Sequence, residues 1–393
     1  TNELEAPQSF NKNWDIPPKY SLGLSDPKTV RLHEAQVVVA REYGFSNWKQ
    51  LLDSVATRAE YCAESGAVDR LVLTNGTHTI RRMDEAGIEG DKEEWLEILH
   101  EGPVPLTESN LELNRVRARH FESIGWTSYE GAMSGFKRRE RPLIDPSRYE
   151  ALQLWFEHDL YDQLQLIQLL DFLSDQPEWL AKAKLVQFTE FLGQVPLPVL
   201  AEGAQRAVPV GAAQLALARS AWSAYRQPTP DALAEVLAGD CSALPCLGAA
   251  LHRICQEFPD AVCGLGRTER QILECLAQGP SSLLEIFRYS QAAEPAAYLG
   301  DSGFLLILER LTQGARPLIE LPPRDSFLLP SNLSHPNARH AQAIQLSKAG
   351  LSVLRGESDW LKDMPTPYWI GGCRIEGVCA PRWNPATESF IKY

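Results

Sequence analysis

At 393 residues and 43.9 kDa, the chain exceeds one ordinary domain and predicts two or three. Its 44% hydrophobic and 23% charged residues exclude disordered, collagen-like and small disulfide-stapled classes. A net charge of -13 argues against nonspecific nucleic-acid binding, because neutralising phosphates needs clustered Lys and Arg.

The start, to about residue 20, is Pro- and Asn-rich and predicts extended chain. Apolar spacing at Val30, Ala35, Val38 and Val39 predicts a helix over 30–43, stopped by Gly44. Ser46 then caps a second helix carrying Trp48, Leu51 and Leu52. Together these form a helical lead over 1–60 with a packing or tethering role.

From Asp69 the pattern changes. Leu71, Val72 and Leu73 make a short apolar run ended by Thr74, Asn75 and Gly76, which predicts a strand and a turn. A helix follows over 79–86. Residues 95–99 satisfy both strand and helix patterns and run into the loop His100-Glu101-Gly102-Pro103-Val104-Pro105. Helices over 108–125 and 129–139 precede a strand at 152–156. The next helix carries Leu160, Leu164, Ile167 and Leu170 on one face, and a third strand falls at 185–188. Alternation of strands and helices predicts an α/β domain over 61–208 with a mainly parallel sheet. Beyond it, 209–263 reads as helical. Three further helices, a two-stranded wing and Ser347 to Leu351 outline a winged-helix-like region over 264–360. A Gly-, Pro- and Trp-rich cap over 361–393 completes the chain.

No window supplies the roughly 18 apolar residues that cross a bilayer. No basic, apolar leader opens the sequence, and the eight cysteines contain no C-x-x-C pair. A cytoplasmic protein with reduced thiols and no membrane partner is expected.

In an open α/β sheet, ligands bind beyond the carboxyl ends of the strands, so the polar residues there are the ones to weigh. Asn75, Gly76, Thr77 and Arg81 form a tight turn and first helical turn suited to an anion such as phosphate, or simply a capped turn. Glu157, His158, Asp159 and Asp162 place four ionisable groups in six residues. Capping accounts for Asp159 and Asp162 equally well. A divalent ion (Mg, Mn or Zn) suits Glu157 and Asp159 with a ligand from another loop, for which His100 is the candidate. His100, Glu101, Glu157 and His158 are the candidate acid/base set. G-x-S-x-G, Walker A and G-x-G-x-x-G patterns are absent. The helix that would enter a DNA groove, 301–310, is apolar and acidic, which disfavours base reading.

The strings LTNG at 73–76, LHEGPVP at 99–105 and WFEHDLYDQLQL at 155–166 resemble those of a bacterial family known as domain of unknown function 1835. The family pattern has an acid after Asn-Gly, where this chain has Thr77. It has Trp-Arg-Asp before the loop, where this chain has Trp95, Leu96 and Glu97. The resemblance implies no activity. It places Asn75, His100, Glu101, Glu157, His158 and Asp159 within the shared strings.

Two functional readings follow. The first is a transferase or hydrolase acting on a small anionic molecule by metal-assisted phosphoryl or nucleotidyl chemistry. The second is a non-catalytic ligand-sensing protein whose helical parts recruit a protein partner.

Overall fold

The computed structural model describes residues 68–321, 344–364 and 366–391, with Gln36, Trp48, Lys49 and Leu52. Those four positions are helical; the rest of the expected helical lead lies outside the described residues. The chain divides into two compact units, Thr1–Val68 and Asp69–Tyr393.

A five-stranded sheet organises the second unit. Its strands are β1 (Val68–Thr74), β2 (Asp91–Glu94), β3 (Tyr149–Phe156), β4 (Ala183–Gln187) and β5 (Val208–Pro209), in the spatial order β2-β1-β3-β4-β5. β1 runs parallel to β2 with Leu71 opposite Asp91, and β3 parallel to β4 with Leu154 opposite Leu185. The short β5 pairs antiparallel with β4. Leu71, Val72 and Leu73 are buried, as are all residues from Leu152 to Phe156. Continuous burial of this kind requires cover on both faces of the sheet.

β2 corrects the sequence reading. Its residues, Asp91, Lys92, Glu93 and Glu94, carry no apolar pattern to betray a strand. It is an edge strand, where charge deters further pairing. Residues 95–99, read as strand or helix, are neither. The Trp95 amide donates to the Thr74 carbonyl at 2.8 Å, and the chain then leaves the sheet.

α1 (Thr77–Glu85) joins β1 to β2; α2 (Asn110–Ser123) and α3 (Tyr129–Glu140) lie between β2 and β3. Ser109 caps α2 by accepting from Glu112 N, and Ser128 caps α3 by accepting from Gly131 N. α4 (Leu160–Ser174) follows β3 and is buried nearly all round, including Gln163, Gln165 and Gln168. It packs against β3 and against α7 (Ala212–Tyr225). Between them lie α5 (Pro177–Leu180) and α6 (Leu197–Gly203).

The remainder is helical: α8 (Asp231–Ala238), α9 (Leu247–Cys255), α10 (Arg267–Ala277), α11 (Leu283–Ala292), α12 (Asp301–Leu311) and α13 (Lys348–Leu354). One small core gathers Ile272, Ile286, Phe304, Leu308 and Val353 from α10 to α13. α12 thus spends its apolar face on packing. Beside it, β6 (Ile319–Glu320) pairs antiparallel with β7 (Gln345–Leu346). The C-terminal segment folds back. Gly371 accepts from Val104 N at 2.8 Å, and Gly372 N donates to Tyr225 O at 3.0 Å. A Cβ at Gly372 would strike the Arg226 carbonyl, so the close approach needs glycine. Among the described residues, no helix is long and apolar enough to cross a membrane.

Candidate metal site at the strand ends

β1 leads to β2 on one side of the sheet and β3 leads to β4 on the other, so the carboxyl ends of β1 and β3 flank a topological switch point. Crevices of this kind are where open α/β sheets hold ligands. Asn75, one residue past β1, donates from Nδ2 to Asp162 Oδ1 at 2.9 Å in the first turn of the helix after β3. The two strand ends are therefore side by side.

Glu157, Asp159 and Asp162 each present a carboxylate oxygen within 4.8 Å of the others, and all three residues are buried. Local geometry brings them together. Asp159 is the N-cap of α4, accepting from Tyr161 N at 2.8 Å and Asp162 N at 3.2 Å. The residue three positions beyond an N-cap points back over the helix start. Asp162 does so, accepting the Glu157 amide with Oδ2. Glu157 turns toward the loop after β4, where Leu192 N donates to Oε1 at 2.7 Å. The loop after β1 closes the set. The Thr79 hydroxyl donates to Asn75 Oδ1 at 2.7 Å, which leaves the Asn75 amide hydrogens facing the carboxyl groups.

Burial raises all three carboxyls above their ordinary range. Asp159 is pushed up to about 7 by desolvation and then by the charge of Glu157. Glu157 rises through burial against the pull of its N–H donors, and Asp162 rises well above the usual range through burial and its two acidic neighbours. A buried acidic cluster at strand ends can thus form a polar or metal-binding site.

The other predicted residues lie elsewhere. His100 is not part of the carboxylate cluster, in which Asp162 joins Glu157 and Asp159. The His100 ring instead packs edge-on against Tyr161 and Tyr298, with centroids 5.9 and 5.1 Å away. Its Nδ1 is buried without a hydrogen-bond partner. Desolvation lowers it to about 4, so the imidazole is neutral and a poor acid at neutral pH. Glu101 faces His120, with Nε2 and Oε1 3.5 Å apart, rather than the carboxylate trio. His158 is half-buried with its ring 5.0 Å from that of Phe191. Gly76 is half-buried, Thr77 and Arg81 are exposed, and Thr77 hydrogen-bonds Glu94 at the end of β2.

The loop 99–105 is a brace. Arg117 donates to the carbonyls of Ile98 at 2.7 Å and of Glu101, and Tyr225 Oη donates to Leu99 O at 2.8 Å. Arg226 Nε donates to Pro105 O at 3.0 Å.

His100 yields a pH prediction. The unfolded chain takes this proton at the ordinary 6.5, whereas the folded protein resists it down to about 4. Between these values the unfolded state binds more protons, so stability present above pH 6.5 is lost as pH falls toward 4. At about 1.4 kcal/mol per unit, the loss reaches up to ~3 kcal/mol. Asp159 acts oppositely. Raised from 3.8 to about 7, it favours the folded state at low pH, and that contribution fades as pH rises through 7. Comparing urea unfolding of wild type and His100→Phe isolates the histidine. The variant should gain relative to wild type between pH 7 and 4.5; equal slopes would contradict the buried, neutral imidazole.

No family model matches this chain, and no curated protein does.

Proposed function

We propose that the protein is a divalent-cation-dependent enzyme acting on phosphoryl groups, as a hydrolase or transferase, at the strand-end cluster. The observation that carries the reading is the convergence of Glu157, Asp159 and Asp162 at the switch point. Three buried like-charged groups are costly unless protons or a cation neutralise them. An all-oxygen donor set favours Mg or Mn over Zn, which prefers nitrogen and sulfur. Such an ion would supply charge stabilisation for a phosphoryl group. Asn75 orients the carboxyl groups of Asp162 and Glu157, and the Leu192 amide fixes Glu157.

The strings at 73–76, 99–105 and 155–166 support membership of the domain of unknown function 1835 family as part of this proposal. The region 264–360 is proposed as a winged-helix-like support, since α12 buries Phe304 and Leu308 in its own core.

Calorimetry with Mn2+ and assay of phosphate release from phosphomonoesters test the reading. One ion per chain and EDTA-sensitive turnover are expected. Absence of Mn2+ and Mg2+ binding at millimolar concentration would overturn it. Binding without turnover would favour the ligand-sensing role.

A further inference from the structure

A cavity of about 360 Å³ opens between α1, the end of β2 and the α2–α3 pair. That volume falls in the range of small-molecule sites. The trio is not in its lining. The β1–α1 turn links the two: Asn75 donates to Asp162 of the trio, and Thr77 hydrogen-bonds Glu94 of the cavity lining.

The cavity has three chemically distinct parts. One wall is apolar, formed by Ile80, Leu96, Phe121 and Phe136, and Leu96 is left 41% exposed. The lining also includes Gly131 and Gly135 of α3, one helical turn apart. A Cβ at Gly135 would meet nothing within 4 Å, so a flat group can lie against bare helix there. The remaining edge carries Glu93 and Glu94 at the carboxyl end of β2. Glu94 stands twenty positions after Thr74, the last residue of β1. In dinucleotide-binding β-α-β units, whose glycine-rich turn this chain lacks, a carboxylate about that far along accepts hydrogen bonds from ribose hydroxyls. Arg138, exposed at the rim, adds a cation.

We infer that this cavity binds the nucleoside part of a ribonucleotide. The base lies between the apolar wall and the α3 glycines, and Glu94 takes the ribose hydroxyls. The phosphate leaves the cavity past Thr77 toward Glu157, Asp159 and Asp162. The inference rests on the proposed phosphoryl chemistry for its direction and names the substrate class of that site. A lipid or fatty acyl group fits less well, since two carboxylates close one edge.

The test is calorimetry of the full chain with AMP, GMP, CMP and UMP without metal, with the 2′,3′-dideoxy form of the best binder as control. At least one ribonucleotide should bind, and its dideoxy form at least about tenfold more weakly. Gly135→Leu should cut affinity at least about tenfold while leaving the melting temperature unchanged or higher, because leucine outranks glycine in a helix and the space is open. Glu94→Gln should lose most of the preference over the dideoxy form. No binding of any of the four at millimolar concentration overturns the inference, as does binding indifferent to both substitutions. Mn2+ binding is measured in parallel without nucleotide. Nucleotide failure with Mn2+ retained sinks the cavity assignment alone, and the reverse sinks the metal reading alone.

Discussion

Asp159→Asn is expected to weaken divalent-cation binding severely while the protein stays folded. Asparagine caps a helix as well as aspartate does, so the contacts to Tyr161 N and Asp162 N survive. The substitution also removes one of three mutually repelling buried carboxyls, and the metal-free variant should be at least as stable as wild type at pH 8. Loss of one ligand and one charge should weaken Mn2+ binding by at least ~100-fold. If the ion is present at 100 times the wild-type Kd, wild type gains about 2.7 kcal/mol. The variant then gains only ~0.4 kcal/mol, a difference that a thermal-shift titration resolves. Phosphoryl turnover should fall in parallel. A variant that kept the full Mn2+ shift would remove Asp159 from the site.

The second large effect concerns stability. Glu97 is buried and joins two arginines, accepting from Arg117 Nε at 3.1 Å and from Arg139 Nη1 at 2.7 Å. Arg117 is itself fully buried and holds the 98–103 backbone. Arg139 stacks on Trp95 and Phe136. Glu97→Ala would leave two buried guanidinium groups without their shared counter-charge. The expected loss is about 3–5 kcal/mol in chemical denaturation. Glu97→Gln, which keeps one acceptor oxygen, should lose less. Hydrogen exchange should accelerate first at Glu101 and Val104, whose amides belong to the braced loop. A loss below ~1 kcal/mol would show that the network contributes little.

Much of the site was readable before any coordinate. Glu157 and Asp159 lie beyond a strand end as expected, because a strand end followed by an N-cap is a local pattern, and Asn75 does so because Asn-Gly ends an apolar run. The role of Asn75 was not readable. The turn suits an anion or simple capping by its sequence, and Asn75 donates to Asp162, a contact 87 positions away in sequence. Asp162 looked like one more capping residue. The signal that could have promoted it is its position three residues beyond Asp159, which turns both carboxyls to the same end of the helix. His100 misled for the opposite reason. A histidine beside a glutamate resembles chemistry, yet its neighbours Tyr161 and Tyr298 come from other parts of the chain and leave it half-buried with its Nδ1 sealed from water. Glu93 and Glu94 were missed with β2, since a charged edge strand has no apolar period.

Length, composition and charge set the class: a chain of more than one expected domain, globular and acidic. That much follows from averages and needs no contact. Periodicity added the α/β alternation and the long buried α4, because burial imprints itself on neighbouring residues. Tertiary structure alone decided which acidic residues matter. Among the described residues, three carboxyls are pressed together at one switch point. The physical reason is that a carboxyl's desolvation and its like-charged neighbours are set by what packs around it, and no residue count carries that.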